Sequence, residues 1–439
     1  MKILVLSNLY PPHHSGTYDF RCQIVCDDLR ARGHDVFVLT STLGLNAPHK
    51  GLDVDRELVL NGHFDLPRVT SFMELKDLEF TNNGALHEAI KTFEPQIVFV
   101  WSLLGLSKSL VFALEKLDIP IVYDVADNWV VEELRTDPWL DFWNCEKLSF
   151  KEGALRKSLE VSGQRDSWDE KAPTRFDKSI KRMPYLYTGG RPAPPTEAGS
   201  IRAFFFKRIY FCSLRMKEDA IRAGYAVEHA DVIQPLIQTD LYQGEVKGAE
   251  SPANSLVMFR HLVDGCGALT ALKALAKVRE TNPDARMDIY GEGNSQYIAK
   301  LKSFAVQNGM PVEIHPISDP MREMPTLYPK YDIFVHPTEM DETLVPAPLE
   351  AMACGLPVIG TLRGGIGSFL INDDNALTFL SGDETDLAEK IQALQGYPDY
   401  RQRIASCGQE RVRNSHGLAV VMTWIESYLQ DTIAYWDQL

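Results

Sequence analysis

Cysteine is sparse in this chain: seven in 439 residues, at positions 22, 26, 145, 212, 266, 354 and 407. None forms a CxxC pair and none has a histidine at metal-ligand spacing, so a zinc-type framework is excluded. An odd, scattered set fits buried free thiols in a reducing compartment. Cys22 and Cys26 share one helical face, the spacing of packing residues. A long apolar run is also missing. The most apolar stretch, 97–114, is interrupted by Ser107-Lys108-Ser109 and reads as a strand and a helix, not a membrane span. Met1-Lys2 leads straight into ILVLSNLY, too short for the apolar core of a secretory leader. The expectation is therefore a first strand and a cytoplasmic protein. Net positive charge is lacking too: −15 at pH 7 argues against general nucleic-acid binding. No GxGxxG follows the first strand, which disfavours a nicotinamide-dependent oxidoreductase.

What is present is an ordinary globular composition, 45% hydrophobic and 24% charged, in a chain too long for one core. The apolar run 2–7, a helical pattern over 18–32 closed by Gly33, and a second run at 35–40 make a βαβ unit. Further strands are expected at 96–100, 119–124 and 207–212. The alternation restarts with strands at 255–259, 286–290, 312–315 and 332–336 and helices between them. Such alternation predicts an α/β chain of two Rossmann-like domains with parallel sheets. The expected divisions are 1–242, a linker at 243–254 without apolar periodicity, 255–417, and a final amphipathic helix at 418–439. The Pro-, Gly- and charge-rich stretch 162–200 reads as an insertion. It lies inside a basic island, 151–215, with 14 Lys and Arg against 7 Asp and Glu. Interleaved aromatics leave two readings open: a surface for anionic membranes or acceptors, or a solvated insertion with its own small core.

Glu342 and Glu350 bracket seven residues in DETLVPAPLEAMACGLPVIG. Pro346 and Pro348 suit a first helical turn and Gly355 a left-handed C-cap, so Glu350 is expected near a helix N-terminus, with Glu342 in the preceding loop. Free N–H groups there suit an anion, and the two carboxylates suit hydroxyls at its ends. An ordinary capped helix with two exposed acids has the same spacing. GEGNSQ at 291–296 fails as a dinucleotide fingerprint and reads as a strand-end turn.

Nearly the whole chain outside 162–200 resembles the retaining glycosyltransferases of family 4, which have the GT-B architecture. The most specific match is HPTEMDETLVPAPLEAMACGLPVIGTLRGGIG, similar to that family's E-x7-E region. SNLYPPHHSGTYDF with the helix and RGH turn after it resembles the family's amino-terminal glycine loop. FCSLRMKEDAIRAGY, VIQPLIQTDLYQ and DIYGEG are weaker matches.

The resemblance implies two Rossmann-like domains facing each other across a cleft, the final helix crossing back to the first. It implies a nucleotide-diphosphate sugar, UDP- or GDP-linked, as donor substrate, with no cofactor and no metal. Glu350 would hold the ribose and Glu342 the donor sugar. The backbone amides of Leu344 and Val345 would face the donor, and Arg260 would neutralise the departing diphosphate. Gly16 would lie close to the diphosphate, with Thr17 beside it at the helix start. Asp127 would stand on the acceptor side, and the base would lie near Ile317. Three departures stand out. The lysine usually following the arginine is absent, the small residue usually found within E-x7-E is Val345, and Ala126 replaces a histidine before Asp127. Arg363 or His261 is the expected substitute for the lysine. The implied partners are a nucleotide sugar and a glycan, lipid-linked or other hydroxyl acceptor, with peripheral membrane contact through 151–215 at the inner surface and no nucleic acid. Polysaccharide, lipopolysaccharide or glycolipid assembly is the implied setting. The alternative kept open is a noncatalytic nucleotide-sugar-binding or scaffold protein of the same fold.

Overall fold

A computed structural model describes residues 1–131, 137–144, 148–174, 206–223, 225–317, 319–343 and 346–436. The chain divides into two compact units, Met1–Ile233 with Met422–Leu439, and Gln234–Val421. The 243–254 segment thus groups with the second unit, and the expected insertion 162–200 falls largely outside the described residues.

The first unit is built on strands β1 (Lys2–Leu6), β2 (Asp35–Ser41), β3 (His49–Lys50), β4 (Val54–Leu58), β5 (Ile97–Val100), β6 (Ile121–Val125), β7 (Ile209–Phe211) and β8 (Asp231–Val232). Their order is β3-β4-β2-β1-β5-β6-β7-β8, parallel except for the short β3 against β4. The central strands are continuous apolar runs, as sheets covered on both faces require. Residues 3–6 of β1 and all of β5 are sealed from solvent. The last helix, Leu418–Trp436, joins this unit from Met422 on. There the Tyr428 hydroxyl donates to the Ile209 carbonyl at 3.1 Å, and the Arg208 guanidinium lies 4.2 Å from the Tyr428 ring. Glu426 on the same helix accepts from Arg32 at 2.9 Å and contacts His34 at 2.8 Å.

The second unit contains β9 (Ser255–Phe259), β10 (Arg286–Tyr290), β11 (Val312–His315), β12 (Ile333–His336), β13 (Val358–Gly360) and β14 (Leu377–Thr378), all parallel in the order β11-β10-β9-β12-β13-β14. Alternation along a strand sends neighbours to opposite faces. Leu256 and Met258 enter one core with Met287, Ile289 and Val335, while Val257 and Phe259 enter the other with Phe334 and Leu349. Each unit is thus a Rossmann-like α/β domain. Cys22, Cys26, Cys212, Cys266 and Cys354 are buried free thiols and Cys407 is half-buried; Cys145 is outside the described residues. Among the described residues no helix is long and apolar enough to cross a membrane.

Two glycines let the ends of β9 and β12 come close to their neighbours. Gly267 has φ +81° before helix Ala268–Arg279, and a Cβ there would lie 1.7 Å from the Pro337 carbonyl oxygen. Gly291, with φ +150°, would meet the Arg260 carbonyl at 1.7 Å. A left-handed position for a non-glycine residue already costs about 1–3 kcal/mol. Gly267→Ala is therefore expected to lower unfolding free energy by at least about 2 kcal/mol in urea titration, since the clash is with backbone.

Candidate functional site

Arg260 follows β9 directly and His336 ends β12, so two strands paired in the middle of the sheet deliver both side chains to its carboxyl edge. Ligands of open α/β sheets bind at that edge. His336 lies two residues beyond Phe334 and its ring stacks on that phenyl at 6.4 Å. The Arg260 Nη1 donates to Glu342 Oε2 and lies 3.3 Å from His336 Nε2, while its Nη2 donates to Thr338 Oγ1 at 3.3 Å. His336 Nε2 is 3.3 Å from the same Glu342 oxygen. The arginine and histidine side chains are 5% and 0% exposed, the glutamate 25%.

The loop carrying Glu342 is clamped from behind. The Gly365 amide donates to the Glu342 carbonyl at 2.7 Å. Gly364, at φ +66°, packs so closely that a Cβ would lie 2.2 Å from that carbonyl oxygen. Thr361 Oγ1 donates to the Thr338 carbonyl at 2.7 Å, tying the β13 end to the same loop.

Burial disfavours the charged form of Glu342, but hydrogen bonds and charge from His336 and Arg260 outweigh it and hold the carboxyl down to about 2. Burial pulls His336 below the usual imidazole range, the Glu342 bond opposes this, and Arg260 adds to the lowering. A neutral imidazole that donates Nε2–H to Glu342 is the form that fits, and its buried Nδ1 then has no partner among the described residues. The site is one cation, one anion and one neutral histidine in a largely dry setting.

Glu350 has a different environment. It lies in the fourth position of helix Ala347–Ala353, and its own N–H is used in that helix, donating to the Pro346 carbonyl at 2.9 Å. The carboxyl is turned inward and 6% exposed. Tyr328 donates to Oε2 at 2.8 Å, and the Tyr242 hydroxyl lies against the same carboxyl. Burial pushes Glu350 up to about 7, with the two tyrosine hydroxyls opposing the rise. So the pair read from the spacing separates: Glu342 faces Arg260 and His336, and Glu350 faces two tyrosines. The alternative of two exposed acids does not hold for Glu350.

Of the other anticipated residues in this unit, Ile317 is half-buried against the aromatic core of Phe259 and Tyr328. Arg363 is 46% exposed and pairs with Asp341 at 3.3 Å, and His261 is exposed. Neither joins the Arg260 cluster. Leu344 and Val345 lie outside the described residues. Gly291 and Gly293 form the turn packed on the backbone of Arg260 and Leu262.

Gly16, Thr17 and Asp127 belong to the first unit. Gly16 caps helix Thr17–Ala31 in extended backbone, φ 174°, with open space where a Cβ would stand. The amides of Ser15 and Gly16 donate to Asp19 Oδ2 at 2.7 and 3.3 Å, so the loop closes on its own helix. Thr17 is exposed. Asp127 accepts from Ser102 Oγ at 2.5 Å and from the Trp129 amide at 3.1 Å, a turn-capping arrangement.

The sequence reading missed Asp124, three residues earlier and wholly buried. It binds Arg21 Nη1 at 2.8 Å, Tyr210 at 2.6 Å and Tyr18 at 3.1 Å. Arg21 at an inward position beside Cys22 and Val25 was the available signal. His336, Thr338, Tyr242 and Tyr328 were also missed, although His336 and Thr338 stand in the quoted HPT. Among the described residues one group has metal-type ligand atoms within 4.8 Å of one another: Asp288, Glu313 and His315 on β10 and β11. Asp288 already accepts from Tyr331 at 2.6 Å, and His315 stacks on Tyr290.

The fold is that of the GT-B class: the structure of Anabaena Alr3699/HepE in complex with UDP and glucose superposes with a TM-score of 0.61 over 98% of this chain and 100% of that one, at 17% identity. Within it, residues 245–411 match the family model for glycosyl transferases group 1. A D-inositol 3-phosphate glycosyltransferase of Pseudarthrobacter chlorophenolicus is 28% identical over 167 residues, 37% of this chain and 39% of that protein. The capsular polysaccharide biosynthesis glycosyltransferase CapM of Staphylococcus aureus is 31% identical over 124 residues, 28% of this chain and 31% of that protein. The chain thus spans well under half the length of these curated relatives.

Glu342→Gln would leave the buried Arg260 charge facing a neutral amide. A loss of about 2 kcal/mol is expected at neutral pH, below the usual cost of breaking a fully buried pair because Glu342 is partly solvated. Because its carboxyl is depressed, the pair's contribution is complete above the ordinary glutamate range and disappears as pH falls towards about 2. Denaturant midpoints of the two proteins should therefore converge on acidification.

Proposed function

We propose that this chain is a glycosyltransferase that moves a sugar from a nucleotide-diphosphate donor to an acceptor hydroxyl, with retention and without a metal. One observation carries the reading: Arg260, a permanently charged donor at the carboxyl edge of the sheet, sits in the segment that matches the group 1 family model. Developing charge on a departing diphosphate needs a preorganised cation or a metal, and the guanidinium supplies the former. In this reading the bond between the sugar C1 and the diphosphate oxygen breaks, and the acceptor oxygen bonds C1 on the same face. The acceptor proton passes to the departing diphosphate. Glu342, ionised throughout the working range, orients the donor sugar, and Glu350 receives the ribose. Gly16, Thr17 and Asp127 serve the acceptor and diphosphate side, and Ile317 the base. Arg363 and His261, each exposed after a strand, are the candidates for a second diphosphate cation.

UDP or GDP is the expected nucleotide and a glycan or lipid-linked hydroxyl the expected acceptor, in polysaccharide, lipopolysaccharide or glycolipid assembly on the cytoplasmic side. The neighbour with UDP and the relative in capsule biosynthesis support this setting.

A noncatalytic nucleotide-sugar binder is the second reading, favoured by the contact in which Glu342 occupies Arg260. Nucleotide release from a panel of UDP-, GDP- and ADP-sugars separates the two. The enzyme releases nucleotide with at least one, Arg260→Ala lowers the rate by about 10²–10³, and EDTA leaves it unchanged. A melting shift without release establishes the binder. Loss of donor affinity in Arg363→Ala or His261→Ala identifies the second cation, and unchanged turnover and affinity in both rejects the pair. The anomeric configuration of the product, read by NMR coupling, tests retention.

A further inference from the structure

Glu350 is a buried carboxyl that, among the described residues, has no cation against it. The titratable groups that face it are Tyr328 from the turn Tyr328–Lys330, Tyr242 from the chain entering the second unit, and Cys354 on its own helix. All three are neutral at physiological pH, because burial pushes both tyrosines above their usual range and Cys354 up to about 12. Such a site holds a carboxylate through hydrogen bonds alone, unlike Glu342 with its arginine.

Tyr328 is completely buried and locked in place: its hydroxyl also lies 3.2 Å from the Ala347 carbonyl, and its ring packs on Phe259 at 4.7 Å. Tyr242, 3% exposed, meets the Tyr328 ring edge-on at 6.0 Å. Two rigid aromatic rings therefore present two hydroxyls to one carboxyl. An ionised carboxylate has about four lone-pair sites. Two donors leave roughly half of that capacity open, the number a vicinal diol fills with two hydroxyls.

We propose that Tyr242 and Tyr328 are positioning residues that orient the Glu350 carboxylate for the two hydroxyls of a nucleoside ribose. The inference rests on the proposed donor role of Glu350 and adds the device that holds it. Both ribose hydroxyls donate, so the ionised carboxylate is the binding form. Burial pushes the Glu350 carboxyl up to about 7, which favours the protonated form as pH falls through that range. Donor affinity must then rise with pH across that range, and removing a tyrosine hydroxyl that favours the ionised form must move the rise to higher pH.

The test is calorimetric affinity between about pH 6 and about pH 8, using UDP-glucose and GDP-mannose, whose diphosphate diesters do not titrate there, each beside its 2′-deoxy analogue. Wild type should bind several-fold more tightly at the upper pH. Tyr328→Phe and Tyr242→Phe should each weaken binding about three- to tenfold at neutral pH, as loss of one hydrogen bond to a charged group implies, and shift the midpoint upward. Glu350→Gln should flatten the profile, and the 2′-deoxy analogue should show a smaller loss in the tyrosine variants than the parent. Tyr225→Phe, buried in the first unit, is the folding control and should match wild type. Unchanged affinity and midpoint in both tyrosine variants overturns the inference while leaving the donor site standing. Failure of every nucleotide sugar to bind wild type overturns the proposed function, and this inference with it.

Discussion

The second unit is organised around one buried charge. Arg260 lies in a setting where an unpaired ion would cost several kcal/mol. Glu342 is therefore drawn in from a loop, His336 is kept neutral, and Thr338 takes the second nitrogen. The close glycines at 267, 291 and 364 follow from the same requirement, because backbone must approach backbone for these side chains to meet. Replacing the trio by apolar residues need not destabilise the fold, since buried ion pairs are weak sources of stability.

Two glutamates separated by seven residues are pushed in opposite directions. Arg260 and His336 hold Glu342 ionised, whereas Glu350 has only tyrosine hydroxyls to offset desolvation. Environments that separate the protonation of two like groups give them different tasks. A permanent carboxylate suits charge stabilisation, and one titrating near neutrality suits ligand-linked hydrogen bonding.

The first unit repeats the theme with other residues. Arg21 is buried against Asp124 and lies 4.9 Å from the Trp101 ring, and two tyrosine hydroxyls complete the carboxylate's shell. Among the described residues, Arg21 Nε and Nη2 have no hydrogen-bond partner. The glycine loop at Gly16 closes on Asp19, so its amides are engaged by the first turn of their own helix.

The architecture was legible because it depends on local pattern. Apolar runs such as 255–259, 286–290 and 312–315 coincide with β9, β10 and β11, and helix stops such as Gly33 and Gly355 carry positive φ as left-handed C-caps require. The spacing of Glu342 and Glu350 was equally plain, as was Arg260 after its strand. What each carboxylate does chemically was not. Tyr242 and Tyr328 reach Glu350 from far along the chain, and Arg260 stands 82 residues before Glu342. The sequence by itself determined the central strands and helices, the parallel character of the sheets and the identity of the charged residues, because hydrophobic periodicity and turn chemistry act over a few residues. The strand order and the short edge strands β3, β4, β8 and β14 came from the structure. Only the tertiary structure decided which acid keeps its charge, because desolvation and charge pairing are set by neighbours in space.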